Sequence, residues 1–245
     1  MTLDGTTSTS WRVNSSPSIP IIVLLGAPAS GKGTLGALLA QDMGLYHLSV
    51  GDWLRELCKP PQTGCPSEIK EYMDRRKEVP DEIITAHFGK SKIPSFLLIH
   101  NYQVRGELLP PEVRLPLLAE TIQDIENSGS YEGILLDGFP REVSHARAAR
   151  KVFGQEFPSV AIQIDCNKQV AMDRYLSRAR GDDDVAMFMK RYARYERENP
   201  DVEKFFAEDN RLIVHENAAS AEVSYAKLFY KLANFFDSRE RSNSP

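Results

Sequence analysis

The chain has 245 residues, of which 42% are hydrophobic and 26% charged, and a net charge of -4. That length suits one α/β domain with insertions, or one domain plus a small lid, and the apolar share allows a large core. Neither disorder nor a general attraction to nucleic acid or anionic membrane is indicated, so any phosphate binding must come from local arginines and lysines. Cys58, Cys65 and Cys166 leave an odd count with no second Cys or His at zinc-ligand spacing, which predicts a reducing compartment. The longest apolar run, Ile19 to Leu25, has the length of a core strand and falls short of the roughly 20 residues of a membrane helix. Residues 1–18 are rich in Ser and Thr and read as a disordered tail, with a transit peptide as the alternative.

In chain order, short β-branched apolar runs bounded by turn residues occur at Ile19 to Gly26, Leu45 to Val50, Gly133 to Phe139, Ser159 to Asp165 and Arg211 to His215. Helical patterns lie between them, at Lys32 to Met43, Glu112 to Glu126, Lys168 to Arg178, Asp184 to Glu198 and Ala221 to Phe236. This alternation predicts an α/β fold, a doubly wound parallel five-stranded sheet covered on both faces. The segment from Cys58 to Arg105 breaks the alternation: two Pro-rich punctuations, a charged helical stretch at Glu68 to Lys77 and an apolar patch at Ile93 to His100 read as an insertion. Residues 238–245 read as a second tail.

The stretch Gly26-Ala27-Pro28-Ala29-Ser30-Gly31-Lys32-Gly33-Thr34 follows a predicted strand and opens a predicted helix, the context a phosphate-binding loop requires. Gly26 and Gly31 let the backbone bend so that several N–H groups turn inward, and the helix N-terminus adds partial positive charge. Lys32 then reaches terminal phosphates and Thr34 helps order a magnesium shell. The strict pattern asks for Ser or Thr directly after the lysine, where this chain has Gly33.

Read as Gly-x-Pro-x-x-Gly-Lys-Gly-Thr, the loop resembles that of the adenylate kinase and UMP/CMP kinase family. Further blocks follow in order: Leu48 to Arg55 and Gly106 to Pro110 resemble the family's monophosphate site, Asp137-Gly138-Phe139-Pro140-Arg141 its second acidic block, and Arg174 to Arg191 its lid. The resemblance implies the P-loop NTPase fold over residues 19–237, with a monophosphate arm at 50–110 enlarged by the insertion 58–105, and a lid at 178–191. It implies ATP held by residues 26–34, Mg2+ held through water by Thr34 and Asp137, and an acceptor monophosphate lined by Ser49, Val50, Arg55, Gly106, Leu109, Gly138, Arg141 and His145. Catalysis would rest on Lys32, Arg141, Arg178, Arg180 and Arg191, because phosphoryl transfer needs positioning and cations more than covalent chemistry. Arginine forks match phosphate oxygens in pairs, which a lysine does not reproduce.

His145 stands where adenylate kinases typically have a base-reading Gln and UMP/CMP kinases an Asn. Val50 replaces a hydroxyl residue of adenylate kinases, and Asp165-Cys166-Asn167 also resembles the UMP/CMP branch. The lid is short, with only Ala179 between Arg178 and Arg180. The resemblance thus implies an ATP-dependent kinase for UMP/CMP or AMP, cytoplasmic with access to the nucleus, monomeric, and without nucleic-acid or membrane partners. Two other readings stay open: a nucleotide-binding regulatory protein with little turnover, and a kinase for another small acceptor.

Overall fold

A computed structural model of the chain describes residues 17–89, 93–178, 184–217 and 220–243. Five strands form the sheet: β1 (Ile21–Gly26), β2 (Leu45–Ser49), β3 (Gly133–Asp137), β4 (Val160–Asp165) and β5 (Leu212–Glu216). All pairings are parallel, as the alternation predicts, and the order is β2-β3-β1-β4-β5. β1 lies between β3 and β4, with Leu24 opposite Asp137 and Gly26 opposite Ile164. The loops leaving these C-terminal ends therefore face one crevice, where open α/β sheets bind ligands.

Side chains of β1 alternate between two helical layers. Ile22 and Leu24 pack with Leu35 and Leu39 of α1 (Lys32–Met43) and with Leu228 and Leu232 of the last helix. Ile21, Val23 and Leu25 face Leu118 and Ile122 of α6 (Pro111–Ser128), Ala146 and Ala149 of α7 (Val143–Phe153), and Val202 and Phe206 of α9 (Val185–Ala207). Between β4 and α9 runs α8 (Lys168–Ser177).

Several helices run differently from expectation. α9 continues past the expected end at Glu198 and through Pro200 to Ala207. Pro200 is exposed, so the carbonyl it leaves without an amide partner faces solvent, while Val202 and Phe206 beyond it are buried in the core. The last helix, α10 (Ala221–Asn243), extends into the stretch read as a tail, because no Gly or Pro stops it before Pro245. α7 is a helix that the strand-and-helix alternation did not anticipate.

The insertion 58–105 is wholly helical in its regular parts. After α2 (Val50–Leu57) come α3 (Ser67–Asp74), α4 (Asp81–Phe88) and α5 (Ser95–Arg105). Pro66, Pro80 and Pro94 each stand just before a helix, so the Pro-rich punctuations mark starts. Ile69, Met73, Val79, Ile84 and Leu97 make a small core of their own, separate from the sheet's. Asn101 ties it together by accepting from the Val79 amide and donating to its carbonyl, both at 2.9 Å.

Because Leu97 belongs to this satellite core, Leu97→Ala should weaken the insertion by ~2–5 kcal/mol without unfolding the sheet. Amide exchange measured by mass spectrometry should accelerate across residues 67–105 while β1 and β4 keep their protection.

Candidate active site

The phosphate loop is built by close backbone approach. Gly26 has φ 139°, and a Cβ there would lie 2.4 Å from the carbonyl oxygen of Ile164, so only glycine lets β1 leave the sheet at this point. Gly31, at φ 99°, caps α1, and a Cβ on it would meet Asn217 Nδ2 at 2.2 Å. That amide donates to the Ser30 carbonyl at 2.7 Å, tying the loop to the residue after β5. Nothing in the spacing of the sequence pointed to Asn217. Lys32 curls into the loop, donating to the carbonyls of Gly26 (2.9 Å) and Ala27 (2.7 Å).

The loop forms the floor of a cleft of ≈ 1570 Å3. Gly26, Pro28, Ala29, Ser30, Gly31, Lys32, Gly33 and Thr34 all line it; Ala27 is buried behind and contributes only its carbonyl. Asp137, at the end of β3, places its carboxylate beside Gly33, where a Cβ would lie 3.9 Å from Oδ2. That is ordinary van der Waals contact, so space beside the acid does not by itself demand the glycine after Lys32. His47 Nε2 stands 3.7 Å from the same carboxylate.

Asp137 and the exposed Thr34 hydroxyl are hard oxygen ligands of the kind Mg2+ takes, and among the described residues no group of three or more His, Cys, Asp and Glu side chains makes a closed metal cage. The donor set therefore fits an ion carried mainly by polyphosphate and water.

Four of the five residues read as catalytic, Lys32, Arg141, Arg178 and Arg191, line this cleft; Arg180 lies outside the described residues, as does the rest of 179–183. Arg141 is held by Gly138, whose carbonyl accepts from its Nε at 2.8 Å and whose φ of 82° turns the chain back. Tyr175 organises two others: its hydroxyl accepts from Arg191 Nη1 at 2.7 Å, and Arg178 stacks on its ring at 4.2 Å. Arg55, in the last turn of α2, pairs with Asp52, and Ser49 caps that helix by accepting from the Asp52 amide. Val50 and Leu109 form an apolar wall beside Gly106.

His145, expected to read a base, does not line the cleft. It is 3% exposed and packs with its ring stacked on Phe139, its Nδ1 3.2 Å from Arg114 Nη1. Arg114 lines the cleft in its place, and so does Arg194, which donates to the Gly106 carbonyl at 2.6 Å. Sequence reasoning missed both; Arg114 stood out only as a charge beside Leu115 and Leu118 on the apolar face of α6.

Like charges crowd here. Burial, and then Arg141 and Arg178, lower Lys32 to about 8 against the pull of Asp137. Arg141 opens to the cleft yet sits between its walls, where burial and Arg191, Arg194 and Arg55 lower it to about 10. Among the described residues ten lysines and arginines line the cleft against five Asp and Glu, an excess of positive charge that suits a polyanion with several phosphates.

Comparison with known proteins agrees with this geometry. The profile of the AAA domain family matches residues 25–93. An adenylate kinase of Phocaeicola vulgatus is 31% identical over 182 residues, covering 71% of this chain and 77% of that protein. One of Chlamydia trachomatis is 27% identical over 231 residues, 82% and 86% of the two chains. Mouse adenylate kinase isoenzyme 5 is 29% identical over 222 residues, 89% of this chain but only 33% of the relative's own length. With the loop, the acidic block and the converging arginines set on a five-stranded parallel sheet, this likeness establishes that the chain belongs to the adenylate kinase family.

Proposed function

We propose that the protein transfers the γ-phosphate of ATP to a nucleoside monophosphate, with AMP and UMP/CMP as the candidate acceptors. The observation that carries this reading is the convergence of Lys32, Arg141, Arg178 and Arg191 on one cleft whose floor is the glycine-rich loop. The relatives named adenylate kinases support AMP. The buried, apolar Val50 and the withdrawal of His145 from the cleft support UMP or CMP.

In this reading residues 26–34 wrap the ATP phosphates with backbone N–H groups, and Lys32 turns from its own loop carbonyls to the donor phosphates. Arg55 and Arg141 grip the acceptor's phosphate and aim one of its oxygens at the γ-phosphorus. That oxygen attacks, the bond from the γ-phosphorus to the bridging oxygen breaks, and ADP leaves with the electron pair. Arg178 and Arg191 neutralise the charge spreading over the transferring group. Mg2+, held through water by Asp137 and Thr34, supplies further neutralisation of the phosphates when bound. Closure of the arm and of residues 178–191 would exclude water as a competing acceptor. Among the described residues no helix is long and apolar enough to cross a membrane, and three free cysteines support a reducing, cytoplasmic setting.

Lys32→Met and Arg141→Lys should each lower kcat/KM by about 10²-fold or more in a coupled assay with ATP, Mg2+ and a panel of monophosphates. Full activity in either variant would sink the mechanism.

The low pKa of Lys32 gives a pH dependence with a definite sign. Above pH about 8 the ammonium of the free protein loses its proton, so kcat/KM for ATP should fall on the alkaline side. Bound phosphates bring negative charge that restores the proton, so the alkaline limb of kcat should lie at higher pH.

A further inference from the structure

Among the cleft cations to which the transfer chemistry gives no task, Arg114 is the deeply buried one. Arg114, in the first turns of α6, is 2% exposed and still lines the cleft. Its Nη1 donates to His145 Nδ1 at 3.2 Å, and its guanidinium carbon lies 5.8 Å from the centre of the Phe139 ring. Its Nε, fully buried, meets no hydrogen-bond partner among the described residues. A guanidinium so deeply buried ordinarily carries a carboxylate or a full set of acceptors. Glu142, the acid within electrostatic reach, instead places its carboxylate 3.9 Å from His145 Nε2. Burial and the neighbouring Arg114 and Arg141 hold His145 down at about 3, so it is neutral, accepts at Nδ1 and fixes Arg114 as the donor.

We propose that Arg114 is a specificity-determining residue that reads the base of the acceptor monophosphate and selects bases bearing a carbonyl oxygen, as in UMP, CMP or GMP, over AMP. This rests on reading the cleft as that of a nucleoside monophosphate kinase.

Arg114 bonds His145, four residues past Arg141, and Arg141 is the charge that acts on it most, so the two guanidiniums are neighbours in the cleft. With the acceptor's phosphate gripped by Arg141, Arg114 meets the part of the acceptor beyond that phosphate. The arm lines the cleft with apolar Val50, Leu54 and Leu109 as well as with charged side chains such as Asp52, Arg55 and Glu107. Apolar faces for a ring together with a fixed polar fork suit a planar base. A phosphate is better served by the exposed Arg141 and the half-exposed Arg55.

The fork is donor-only. Cytosine offers it O2 with N3 and guanine O6 with N7, while a uracil carbonyl has two lone pairs and can take both N–H groups of the fork on one oxygen. Adenine sets its N6 amino group beside both N1 and N7, so a guanidinium approaching either edge meets a donor and leaves one of its own N–H groups unsatisfied.

The test is calorimetry of AMP, UMP, CMP and GMP on the full chain saturated with a non-transferring ATP analogue, alongside the coupled transfer assay, for the wild type and Arg114→Met. The wild type should bind at least one of UMP, CMP and GMP at least tenfold more tightly than AMP. Arg114→Met should erase that preference, weakening the favoured acceptor about tenfold or more while AMP changes less than about threefold. If Arg114→Met fails to fold by circular dichroism, Arg114→Lys, which keeps the charge and loses the fork, should shift the preference in the same direction. Tightest binding of AMP by the wild type, equal losses on all four bases, or no binding of any monophosphate would overturn the proposal. Base-selective binding without transfer would sink the kinase reading and leave the role of Arg114 standing.

Discussion

Crowding more cations than acids into one cleft is the constraint on which the rest of this molecule depends. Lys32, Arg141, Arg178, Arg191 and Arg194 share a cleft with Asp137 in a chain whose net charge is -4. Burial first and mutual repulsion second lower the pKa values of Lys32 and Arg141, and both effects are unfavourable until an anion arrives. The sheet core bears that cost: β1, β3 and β4 are buried along nearly their whole length, and their C-terminal ends carry the loop and the acid. Side chains held this way need little rearrangement when phosphate charge moves, which is how fixed dipoles and cations lower a transfer barrier.

The same economy extends outward from the cleft. Tyr175 uses its ring for Arg178 and its hydroxyl for Arg191, so one buried residue aims two cations. Gly138 turns the chain after Asp137 and accepts from Arg141, linking the acid to the acceptor grip within four residues. Asn217 holds the phosphate loop from the opposite side of the sheet through the Ser30 carbonyl.

The sheet was readable in the sequence because its three central strands are short apolar runs, buried on both faces and bounded by turn residues. The donor loop was readable because its geometry needs glycine at Gly26 and Gly31, where a side chain would collide with the Ile164 carbonyl or with Asn217. The acceptor side was harder. Arg114 and Asn217 act through contacts between residues 31 and 187 positions apart in the chain, and no local pattern encodes those. His145 occupies a position that resemblance assigned to the base, yet its burial and its bond to Arg114 turn it into a support for another side chain. The ends of α9 and α10 were misjudged for one reason: Pro200 is tolerated where its face is exposed, and nothing in Ser238 to Asn243 stops a helix.

α9 touches the sheet near its end and the root of the insertion near its start. Val202 and Phe206 are clamped in the core, while Arg194 donates to the Gly106 carbonyl and Lys190 to the Arg105 carbonyl at 2.5 Å. Twelve residues separate Phe206 from Arg194, which at ~1.5 Å per residue is a rod of roughly 18 Å. The first turns of α9 are packed as well, Phe188 and Tyr192 being buried with Tyr175 and Ala171. α9 is thus a strut held along its length, and it fixes the spacing between the sheet core and the root of the arm.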